Sequence, residues 1–199
     1  MMSEEVTEDS TLGRSGFEEE ALPWLDAVYR FSLRLTGNEA EADDLTQETF
    51  LRAYRHWSTY TRGTSCRSWL FTICRNAFLR GRERRDRRME SFESELDVAV
   101  EAMAGAKVLA EIRNEDPERR FFDSFIDAEV DAAIARLPDE FRQAVVLSDL
   151  EGLSYNEVAQ VMDVPVGTVK SRLYRGRRLL AAALRDYATE MGYIAGGTK

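Results

Sequence analysis

The chain has 199 residues, a net charge of −9, 44% hydrophobic and 32% charged residues, two cysteines and one histidine. That is enough for one large or two small packed domains, with no run near the roughly 18–20 apolar residues of a membrane span and no secretory pattern at the acidic N-terminus. So few cysteines and histidines exclude a disulfide scaffold and leave any zinc site dependent on carboxylates, so a reducing cytosol is expected and no metal or cofactor is.

An acidic total argues against nucleic acid only if the charge is evenly spread, and it is not. Residues 1–20 carry a net −6 and residues 75–88 a net +5. Residues 90–125 return to −6, and residues 165–185 hold six basic side chains and no acid. Localised basic faces on separate helical segments are the electrostatic footprint of phosphate contact, whatever the overall sign.

In chain order, residues 1–16 are acidic and poor in apolar content, and read as a disordered arm. From Pro23 the pattern is helical: Trp24, Val28, Phe31 and Leu35 share a face, and Gly37 stops the helix. Asn38 is placed to cap a second helix whose acidic start suits the helix dipole and which runs to Trp57. The paired acids Asp43 and Asp44 fit that dipole role, and no nucleophile–base or metal constellation surrounds them, so no catalytic residue is expected. His56 beside Trp57 reads as a surface or interface residue. The polar stretch 58–65 reads as a loop. A third helix follows, with Leu70, Ile73, Cys74, Ala77 and Phe78 on one face, and continues into the arginine run. Cys66 and Cys74, if both helical, lie about 12 Å apart along the axis, too far for a disulfide.

Residues 91–124 lack sustained periodicity and read as an acidic linker, with room for a short helix near Ala102–Ile112. A second helical unit then begins with a stripe of Ile126, Val130, Ala133, Ile134 and Leu137, ended by Pro138. Phe141, Ala144, Val145 and Leu150 form the next, closed by Gly152. Ser154 and Glu157 spell a capping box that opens a short helix through Met162. Asp163 to Pro165 is the turn, and a last helix places Val169, Leu173, Leu180 and Leu184 inward. No segment alternates like a strand, so the chain is expected to be all-α, in two small helical domains.

Residues 153–178 have helix-turn-helix form. The small residues Gly167 and Thr168 let the second helix approach a DNA groove, and Thr168, Lys170, Ser171, Arg172, Tyr174, Arg175 and Arg177 are candidates for bases and phosphates. Arginine can read guanine in bidentate fashion, which suits their concentration here.

The strings Asp43-Asp-Leu-Thr-Gln-Glu-Thr-Phe-Leu-Arg-Ala-Tyr54, Trp69-Leu-Phe-Thr-Ile-Cys-Arg-Asn76, Leu137-Pro138 and Pro165-Val-Gly-Thr-Val-Lys-Ser-Arg172 resemble bacterial sigma factors of the extracytoplasmic-function (ECF, group 4) family. The likeness covers roughly residues 20–90 and 125–188. It implies a disordered arm over 1–16, sigma region 2 over 17–90, a linker over 91–124, sigma region 4 over 125–188 and a tail over 189–199. It also implies a transcription-initiation role rather than an enzyme. Core RNA polymerase would dock on Asp44, Gln47, Glu48, Phe50 and Arg52, although Phe50 and Tyr54 fit the core as well. Promoter −10 DNA would meet Tyr60, Arg62, Trp69, Arg75, Asn76, Arg80 and Arg84, with Trp69, at the buried start of its helix, better suited to the core than to stacking. The second helix of the helix-turn-helix would read the −35 element. The resemblance further implies cytoplasmic location without membrane insertion, control by an anti-sigma protein and a stress-response regulon. The competing reading is a stand-alone helix-turn-helix repressor with an N-terminal sensing or dimerisation domain.

Overall fold

The computed structural model describes residues 16–90 and 128–193, with no side-chain description for 86 and 88–90. These residues fall into two compact units divided between Glu115 and Asp116. Their regular elements are all helical, with no strand among them. No helix among them is long and apolar enough to cross a membrane. The expected arm over 1–16 lies outside the described residues except for Gly16, which is helical, and the linker 91–124 with its short helix and Ile126 lie outside them too.

The first unit opens with a helical turn at 16–21 and a tight turn, Leu22–Trp24, started by Pro23. The regular helices are α1 (Leu25–Thr36), α2 (Glu39–Arg55) and α3 (Cys66–Glu90), each packed on the other two. Gly37 ends α1 in the left-handed region at φ 68°, a conformation that costs glycine nothing. Asn38 caps α2 as expected, its Oδ1 accepting from Glu41 N at 3.0 Å. Leu25, Val28, Phe31 and Leu35 of α1 meet Leu45, Phe50 and Ala53 of α2 and Leu70, Phe71 and Cys74 of α3 in the core. Phe31 and Phe71 stand edge to face with centroids 5.1 Å apart. A small polar seam crosses this core: Thr46 Oγ1 lies 3.2 Å from Ser32 Oγ, which lies 3.3 Å from Cys74 Sγ. Short side chains there keep the helices close while satisfying one another's hydrogen bonds.

Both cysteines are free and buried. Burial pushes each thiol from about 9 up to about 11, so both stay protonated and weakly nucleophilic at neutral pH. A thiol held above its unfolded value stabilises the fold fully below pH 9 and ceases to do so as pH rises through 11. Thermal scans from pH 8 to 11 should therefore show falling stability, with a shallower slope in Cys66→Ala. Equal slopes would contradict this account of the thiols.

The second unit is built from α4 (Ala128–Ala135), α5 (Asp139–Val145), α6 (Tyr155–Met162), α7 (Val166–Ala183) and α8 (Arg185–Glu190). After α5 the chain widens into one i→i+5 turn over Val146–Leu150, and Glu151 N donates to Val146 O at 2.9 Å. The capping box at α6 is complete: Glu157 N donates to Ser154 Oγ at 3.3 Å, and Ser154 N to Glu157 Oε2 at 2.9 Å. Asp163 makes the turn in the left-handed region, at φ 52°, and Pro165 starts α7. Val169 and Leu173 are fully buried, whereas Leu150, Leu180 and Leu184, expected inward, are only half-buried. Helix α8 continues to Glu190, past the boundary expected at 188.

Gly176 is buried where α7 crosses α5. A Cβ there would stand 2.8 Å from Val145 Cγ2 and 3.3 Å from Phe141 Cβ. Gly176→Ala gains about 1 kcal/mol of helix propensity, but forcing a methyl into a packed crossing costs about 1–3 kcal/mol. The substitution should lower the unfolding temperature of the second unit. An unchanged or raised temperature would show that α5 and α7 yield freely.

Candidate nucleic-acid interface

On α7 the residues sort by helical phase. Val169, Leu173 and Gly176 face the core, which turns Ser171, Tyr174, Arg175 and Arg178 to the opposite side. Tyr174 is 67% exposed. Lys170, Arg175 and Arg178 are exposed and make no ion pair among the described residues. The flanks of the helix are tied down instead. Arg172 Nη2 lies 3.0 Å from Glu140 Oε2 on α5. Arg177 grips Asp149 with two bonds, Nε to Oδ2 at 3.0 Å and Nη2 to Oδ1 at 2.6 Å. That two-point hydrogen bond pushes the Arg177 guanidinium pKa further up. Thr168 is half-buried, and its carbonyl accepts from the Ser171 hydroxyl at 2.9 Å.

The seven expected residues of this helix therefore divide. Lys170, Ser171, Tyr174 and Arg175 are presented outward, while Arg172 and Arg177 clamp the helix to its own unit. Arg178, outside the expected set, shares their face by its helical spacing from Ser171 and Tyr174.

In the first unit the loop after α2 is self-bonded. The Tyr60 hydroxyl donates to Thr64 O at 2.8 Å, and Gly63 supplies a positive φ of 85°. Ser65 caps α3, its Oγ accepting from Ser68 N at 3.2 Å. Trp57 stacks on Tyr60 with centroids 4.8 Å apart and planes 24° apart, and Trp69 closes on Tyr60 at 5.2 Å. Tyr60 is buried with both neighbours against it, so it braces the loop rather than offering a stacking face, contrary to expectation. Burial raises its hydroxyl pKa and keeps it a donor at neutral pH. Arg62 is exposed at the loop tip, with Nε 3.7 Å from Glu20 Oε1.

Along α3, Trp69, Thr72, Asn76 and Arg80 follow at i, i+3, i+7 and i+11 and so share one face. Asn76 and Arg80 are exposed on it, and Trp69 is half-buried at its start. Arg75 is half-buried and points to a different side of the helix. The arginine run is not uniformly outward. Arg84 Nη2 reaches to 3.9 Å from Glu48, and Arg85 Nη1 to 2.8 Å from Glu41, both on α2. The two runs thus present part of their charge and spend the rest on internal pairs.

On α2, Asp44 and Glu48 lie on an outward face that continues through Leu51 and Arg55. Arg52 pairs with Glu48 one turn back, with Nε 2.9 Å from Oε1. Gln47, expected on the same face, is instead buried at 8% exposure, and Phe50, for which both that face and the core were open, takes the core at 4%. Helical phase turns them inward, and Phe17 of the turn 16–21 meets Phe50 with centroids 6.4 Å apart. Leu51 and Tyr54 are the exposed apolar side chains here, at 42% and 51%.

Two family matches coincide with these surfaces: Sigma-70 region 2 over residues 22–88 and Sigma-70, region 4 over residues 127–180. The ECF RNA polymerase sigma factor SigE of Mycolicibacterium smegmatis is 43% identical over 85% of this chain, which spans 62% of that relative's length. The ECF RNA polymerase sigma factor SigW of Bacillus subtilis is 32% identical over 81% of this chain and 84% of its own. Among solved structures, the sigma factor RpoE of Bartonella quintana, in complex with the anti-sigma factor NepR, superposes with a TM-score of 0.66 at 27% identity, covering 85% of this chain and 97% of that one. With both sigma regions present in order and relatives above 30% identity across most of the chain, the protein belongs to the ECF family of RNA polymerase sigma factors.

Proposed function

We propose that this chain binds core RNA polymerase through the outward face of α2, directs the holoenzyme to −35 DNA with the crest of α7, and recognises and melts the −10 element with the loop 60–65 and the Asn76–Arg80 face of α3. The observation that carries this is the pairing of two separate, outward, basic helix faces with the two matched sigma regions, in a chain of net negative charge. Asp44, Glu48, Leu51 and Tyr54 offer a mixed acidic and apolar strip suited to a partner helix, with Arg52 held on it by Glu48. The polymerisation chemistry belongs to the polymerase, and the setting is the cytoplasm, where promoter and polymerase are. Control by an anti-sigma protein is supported by the RpoE–NepR likeness.

Fluorescence anisotropy of a labelled promoter duplex tests the reading. The chain alone should bind weakly and without sequence preference, and adding core polymerase should produce tight, promoter-selective binding. Tight selective binding by the chain alone would favour a stand-alone repressor.

A further inference from the structure

The helical turn 16–21 lies outside both matched segments, yet it is seated on the loop assigned to −10 DNA. Phe17 is buried edge-on against Tyr54 and Trp57, with centroids 5.3 and 5.2 Å away. Three residues on, the Glu20 carboxylate stands 3.7 Å from Arg62 Nε. Arg62 is laid along the turn itself: a Cβ on Gly16 would collide with its Nη2. The same carboxylate is, after burial, among the groups that raise the Tyr60 and Cys66 pKa values, in keeping with a charge beside the loop. Residues 1–15 add four acids against Arg14 alone, so the segment that Phe17 anchors is acidic along its length.

A carboxylate so placed offers a guanidinium what a DNA phosphate offers, a delocalised anion within reach of its N–H fork. We propose that the turn 16–21 is an intramolecular competitor for −10 DNA, with Phe17 as its anchor and Glu20 occupying the anion position of Arg62. A phosphate competes with Glu20 for that position. The inference rests on the reading that the loop 60–65 meets −10 DNA. Both partners of the pair are partly exposed, so the competition is a modest factor rather than a lock.

The test uses holoenzyme assembled from core polymerase and the full chain, titrated against fork-junction DNA whose −10 non-template strand is unpaired. Glu20→Gln should tighten binding about two- to fivefold at low salt, and the gain should shrink between about 50 and 200 mM salt. Arg62→Ala should weaken binding, and in that background Glu20→Gln should gain nothing. If Arg62→Ala weakens binding while Glu20→Gln leaves it unchanged or weaker, the competitor is overturned and the loop assignment stands. If Arg62→Ala has no effect, both fall.

Discussion

Replacing Asn76 with alanine should slow promoter opening by up to about tenfold while leaving closed-complex binding intact, because one amide hydrogen bond to a base edge contributes roughly 1.4 kcal/mol or less. Asn76 is exposed one turn before Arg80, on the face that begins at Trp69. An amide at that place can bond an extruded base edge, and Arg80 can hold the displaced strand by its phosphates. Extrusion itself costs a few kcal/mol, so losing one bond acts on the opening step and not on duplex docking. A template premelted across the −10 region should restore most of the activity. Permanganate reactivity of unpaired thymines on linear duplex reads the step directly. Opening at the parental rate would remove Asn76 from the melting face and leave α3 as a phosphate-binding ramp.

The second large effect belongs to α7. The double substitution Arg175→Ala/Arg178→Ala removes two outward guanidiniums that have no ion-pair partner among the described residues. If both neutralise phosphates, the slope of log affinity against log salt should become shallower by about 1.8, and binding should weaken alike on all sequences. If either reads a guanine, about 1–3 kcal/mol of selectivity should vanish at one position. Arg172→Ala and Arg177→Ala should behave differently. These side chains hold Glu140 and Asp149, so their loss should loosen α7 on its unit before it changes the salt slope. An unchanged slope and unchanged selectivity in the double variant would take this crest off DNA.

What the sequence made legible was local. Asn38, Gly37, Ser154 with Glu157, and Pro165 mark helix ends through hydrogen bonds or dihedrals settled within a few residues, and each stands where the pattern put it. The two basic islands and the family strings were also readable, because both are properties of contiguous chain. What escaped depends on partners far along the sequence. Phe50, open in sequence between the contact face and the core, is turned inward against Phe17, which sits before the first recognisable apolar repeat. Arg85 is paired with Glu41, 44 residues away, and Arg177 with Asp149, 28 residues away. Counting charges cannot separate an arginine that meets solvent from one already matched to a carboxylate. Helical phase helps only once the buried face is known, so the sequence alone does not tell the outward Arg178 from the clamped Arg172.

Run-off transcription with purified core polymerase tests the central claim most directly. Core polymerase alone on a promoter library should give no discrete starts, and adding this chain should give discrete starts downstream of a shared pair of −35 and −10 sequences. Absence of any chain-dependent start, together with selective duplex binding by the chain without polymerase, would contradict it.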